Sequence, residues 1–202
     1  MRVMLDDQNC PTTATTIGEA VAAAADQAEK GGRLVVEIRV DGTPLTDQEL
    51  QTPDRLQAVA DEVQLITTTI GTLLRDTFLH AAEALVEADA TQRNAAELVQ
   101  SGQTAEGMRA LLSALETWGG IRDAVVKGLA LAEVSPDDVV IGEQRLPDAI
   151  SGLQDRLGAL KSAMVAEDVS ATCDCLLYDL PQSTKEWSTI LAGLAQQFAD
   201  AS

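Results

Sequence analysis

Apolar positions along the chain change period near residue 70, and that change divides the sequence in two. Before it, short alternating runs are interleaved with one helical stretch. Arg2–Leu5 reads as a strand, and Val36, Ile38 and Val40 alternate with Glu37 and Arg39 ahead of the turn dipeptide Asp41-Gly42. Val63–Thr67 is again β-branched and alternating. Between the first two runs, Thr16 and Glu19 stand at capping-box spacing and open an Ala-rich helix that stops at Gly31-Gly32. A short helical piece is expected over residues 53–60. These elements predict a small three-stranded sheet with a helix on one face, over residues 1–68.

From residue 69 to 202 only helical periods recur. Ile70, Leu73, Leu74, Phe78, Ala81 and Leu85 form one stripe, and a shorter helix near residues 95–100 ends at Gly102. Thr104 is placed to cap a long helix with Met108, Leu111, Leu112, Leu115 and Trp118 on its buried side, and a kink or a close crossing is expected at Gly119-Gly120. A linker is expected at about residues 133–145. Leu146, Ile150, Leu153, Leu157, Leu160 and Met164 then keep a heptad spacing, and a last helix carries Trp187, Ile190, Leu194 and Phe198. The expected class is α+β, mostly α: a small sheet subdomain, then an antiparallel helical bundle.

Composition narrows the chemistry. The net charge is −18, divided as −7 over residues 1–68 and −11 over 69–202, so no tail holds the excess. Such a surface repels phosphate backbones and anionic membranes, which argues against both as partners. A diffuse acid excess is most often a solubility device or an adaptation to salt, and a cationic protein partner is the sharper reading. No stretch has the length and apolarity of a membrane span. The first residues lack a leader-like apolar segment, and three cysteines, Cys10, Cys173 and Cys175, make no disulfide framework. A reducing, cytoplasmic setting is expected.

Catalytic constellations are sparse. His80 is the only histidine, and Ala81, Ala82, Glu83 and Ala84 follow it, with no cation to hold a phosphoryl group. A phosphocarrier or an enzyme using His80 is the least favoured reading. The Gly pairs lack the Lys-Ser/Thr of a phosphate loop, and no Glu-x-x-His pair suits a di-metal bundle. No catalytic, cofactor or metal residue is assigned.

The stretch DVSATCDCLLYDLP at 168–181 is the one chemical oddity. On a regular helix Cys173 joins an apolar stripe with Val169, Leu176 and Leu180, while Cys175 lies about 200° round the axis, so the sulfurs do not share an ion. Asp168 is placed as an N-cap, and Pro181 is expected to end the helix. Asp174 and Tyr178, four apart, are expected to make one structural polar contact.

The pattern of Asp168, Asp174, Leu176, Tyr178, Asp179, Leu180 and Pro181, followed by Trp187, resembles the C-terminal helical hairpin of an uncharacterised bacterial family. The strand running into Asp41-Gly42 resembles that family's N-terminal portion. Asp179 stands where another acid is usual, and Pro181 comes one place early. The resemblance implies the same fold and carries no function.

With amphipathic helices and no catalytic set, the expected function is a non-enzymatic protein–protein interaction module, adaptor or chaperone-like. Trp187, Ile190, Leu194 and Phe198 of the last helix are expected to supply an exposed anchor. The alternative is a self-assembling homo-oligomer, such as a homodimer, that pairs through the heptad seam.

Overall fold

A computed structural model describes residues 1–200, apart from the side chain of Asp200. The described chain forms two compact units, divided between residues 73 and 74.

The first unit is a mixed five-stranded sheet in the order β2-β1-β5-β3-β4. β1 (Arg2–Leu5) turns into β2 (Gln8–Asn9), then α1 (Ile17–Lys30) leads to β3 (Arg33–Val40) and β4 (Thr43–Pro44). Two short helices, α2 (Asp47–Leu50) and α3 (Pro53–Gln57), return the chain to β5 (Glu62–Thr69). β5 lies in the middle, parallel to β1 and antiparallel to β3. This is a β-grasp arrangement, in which a mixed sheet closes over one helix.

The three expected strands are its centre. The sheet has five because β2 and β4 are two residues each, too short to carry an alternating period. Val3, Val63 and Leu65 pack on Ile17, Ala20 and Ala24, where small side chains let α1 sit close to the strands. Thr16 caps α1 by accepting from the Glu19 amide, but Glu19 reaches back to Thr15. The two-way capping box is at Thr46 and Glu49 instead.

In the second unit α4 (Ile70–Gln100) is a single helix of 31 residues, so the shorter helix expected near its end is part of it. A turn through Gly102, at φ +82°, reverses the chain into α5 (Thr104–Leu131), with Gln103 rather than Thr104 at the cap. A Cβ at Gly107 would stand 2.6 Å from Val99, and one at Gly128 would stand 3.0 Å from Leu74 and Phe78. Glycine at both ends of the pair sets the antiparallel approach. α5 continues through Gly119-Gly120.

The expected linker is structured. A 3-10 turn (Pro136–Asp138) leads into the hairpin β6 (Val140–Ile141) and β7 (Gln144–Arg145), with Gly142 at φ +63° in the turn. Ile141 packs directly over Gly193. α6 (Leu146–Val165) follows, then α7 (Val169–Asp174), a π-helical turn (Cys175–Asp179) and α8 (Leu180–Asp200).

These last three form one uninterrupted helix antiparallel to α4. The contacts step in register: Ala96 with Cys173, Asp89 with Thr184, Phe78 with Phe198. Pro181 therefore does not end the helix. It has no amide to donate, and in a regular helix its ring crowds the carbonyl four residues back. The π turn, in which the Leu180 amide bonds Cys175 O, widens the helix at that point.

Candidate functional site

The polar interior of the second unit is structural. Gln92 is buried on α4. It donates to Asp89 (2.9 Å) and accepts from the Trp118 indole (3.4 Å), while Thr184 on α8 also donates to Asp89 (3.2 Å). One carboxylate and one amide thus tie three helices together with their polar atoms satisfied. Arg156 on α6 makes two bonds to Glu186 and one to Ser183 on α8. That pairing holds the Glu186 carboxyl below its ordinary range and the guanidinium above its own.

Burial relocates the expected anchor. Trp187 is 1% exposed, and Ile190 and Leu194 are fully buried against the bundle. Phe198 is half-buried, with its ring 5.8 Å from that of Phe78. The apolar stripe of α8 is spent inside the chain, so it offers no exposed anchor. Periodicity marks a face that is covered without saying by what.

The 168–181 stretch divides similarly. Asp168 caps α7 by accepting from the Ala171 amide. Both Cys173 and Cys175 are buried, although they lie on different sides, because the segment packs on α4 through Ala96 O and also on α6. Burial raises both thiols above their ordinary values, and Asp174 and Asp179 add to the rise. Tyr178 is 70% exposed, and among the described residues it makes no hydrogen bond to Asp174. The expected contact between them is thus not formed. His80 is on the exposed side of α4. Among the described residues no three His, Cys, Asp or Glu side chains gather as a metal would require.

What remains open is a long groove between α5 and α6. Four recesses of ≈ 550, 440, 350 and 230 Å³ run into one another through shared walls at Leu115, Leu157, Met108 and Met164. Arg122 and Gly119 face Ile150 and Gln154 at one end. Thr104 and Met108 face Met164 and Val169 at the other. The floor is almost wholly apolar, and Leu112 (58%) and Val165 (78%) stand on its edges in solvent. From Thr104 to Arg122 the groove spans about 27 Å of helix.

The heptad seam explains its existence. Leu146, Leu153 and Leu160 are buried, with Leu153 and Leu160 also reaching the groove, whereas Ile150, Leu157 and Met164 are half-buried along it. A heptad carries two apolar rows, and this chain covers one of them fully and the other only in part.

No family model, curated protein or solved structure matches this chain. No helix among the described residues is long and apolar enough to cross a membrane.

Proposed function

We propose that the protein is a non-enzymatic interaction module that takes a partner's helix into the α5–α6 groove. The single observation behind this reading is the half-covered apolar row on α6 facing Met108, Leu112 and Leu115. An apolar strip of this length left in water is what helix-in-groove recognition uses, and its two methionines suit adaptable packing.

The test uses a synthetic 18-residue amphipathic helix with a leucine face and uncharged glutamine flanks. Binding is followed by its anisotropy and by the emission of Trp118 and Trp187 at the groove's end. Leu112→Asp and Val165→Asp are expected to weaken binding about tenfold or more each, with the circular dichroism unchanged, since both side chains are already in solvent. Equal binding by wild type and both variants removes the groove from the account.

A second reading rests on the same half-used heptad: two copies pairing through this face. Sedimentation over a wide dilution range separates it, because a dimer that dissociates on Leu112→Asp would place a second chain there.

A further inference from the structure

The groove runs against the charge of its surroundings. Residues 69–202 hold nine basic and twenty acidic side chains, yet three of the nine and only one of the twenty line the groove. The cations are Arg109, Arg122 and Lys161, and the acid is Glu167, at the far end. Arg109 and Arg122 are partly neutralised along their own helix by Glu106 (3.0 Å) and Asp123 (2.7 Å). Lys161 pairs with no acid among the described residues and stands beside Leu157 and Met164 in the widest recess. An apolar strip with a free ammonium on its wall, in a chain of net charge −18, favours a ligand of the same sign as the chain as a whole.

Gly119 adds a steric observation. A Cβ there would touch nothing within 4 Å, as at Gly120 and Gly158 and unlike those at Gly107, Gly128 and Gly193. Glycine inside a helix costs stability, and at Gly119 no neighbour within the chain requires it. Its place on the groove wall leaves room for another backbone to come close.

Resting on the groove reading above, we infer that the partner is an amphipathic helix of about five turns whose polar flanks carry aspartate or glutamate, with an acid set against Lys161. The apolar row supplies the affinity. The cations select sign and orientation, while the long-range field of the acid surface slows the approach of such a helix, so added salt speeds its association and weakens the local pairs.

The experiment uses three 18-residue peptides that share one leucine face and differ only in flanks of glutamate, glutamine or lysine. Each is titrated into the full-length protein at moderate ionic strength. The glutamate peptide is expected to bind about tenfold more tightly than the lysine peptide. Lys161→Glu combined with Arg109→Glu should invert that order, with folding checked by circular dichroism. Both sites are exposed, and Lys161→Gln offers a milder second variant that should abolish most of the preference. Gly119→Leu should weaken all three peptides. Equal affinity across the flanks, or a preference for lysine, overturns the acidic-partner inference and leaves the groove reading standing. Failure of every peptide to bind overturns both. A wild-type dimer that dissociates as the glutamate peptide binds would assign the groove to a second copy and overturn the inference also.

Discussion

Trp118 of α5 and Trp187 of α8 meet edge to face, with ring centroids 6.1 Å apart and planes at 85°. The Trp118 indole donates to Gln92, but the Trp187 Nε1 is buried without a hydrogen-bond partner among the described residues. The same two rings line the end of the α5–α6 groove. They therefore join the core that holds the helices together to the surface that the groove presents.

Trp187→Ala should lower stability by about 3–5 kcal/mol, because it empties a large buried site and removes an aromatic pair. Trp187→Phe should cost clearly less than the volume change suggests, since it also deletes an unsatisfied donor. Urea unfolding of both variants measures the difference. Equal losses would mean that the orphan N–H is not a burden.

Leu194→Ala should likewise cost about 2–5 kcal/mol, as for any buried leucine. A charged residue there, as in Leu194→Asp, should unfold the bundle rather than detach a partner. Loss of the helical signal on thermal scanning distinguishes these outcomes.

Ile141 and Gly193 are coupled. Gly193→Ala puts a methyl group where the Ile141 side chain already lies, with an expected cost of about 1–3 kcal/mol. Ile141→Ala should restore part of that loss, and a double-mutant cycle should give a coupling of about 0.5 kcal/mol or more. Additive losses would show that the hairpin shifts aside freely.

The Arg156–Glu186 pair gives a pH dependence whose sign follows from its direction. The folded carboxyl is held below its ordinary value of 4.5, chiefly by the hydrogen bond from Arg156. Its contribution is therefore complete above that value and is lost as pH falls through the depressed one. Asp179 also faces the guanidinium, and Gln182 and Ser183 complete the group. Glu186→Gln should flatten the acid limb of the stability curve below about pH 4.5 and leave its shape at neutral pH unchanged. An unchanged acid limb would count against the pair.

Cys173 and Cys175, both buried and raised, should react with a thiol reagent at neutral pH far more slowly than an exposed cysteine, and at ordinary rates once the chain is unfolded in urea. Fast labelling of the native protein would show that the α7–π segment opens.

Local pattern decided much of this protein. Alternation at Val36–Val40 and Val63–Thr67 was enough for the central strands. The stripes on α4, α5, α6 and α8 were enough for a mostly helical second unit, and Asp168 was enough for a cap. These features are legible because each depends on neighbours within one or two turns of chain. Pairing is different. The edge strands β2 and β4 exist only because β1 and β3 offer them backbone partners, and the hairpin at 140–145 is held by Gly193, fifty residues away. Pro181 became an interior residue because a π turn made room for its ring. Above all, a stripe of leucines does not say whether its partner lies in the same chain. Tertiary packing used up Trp187, Ile190 and Leu194 and left Ile150, Leu157 and Met164 only half-covered, because burial is a property of the neighbours that arrive and not of the residue that waits for them.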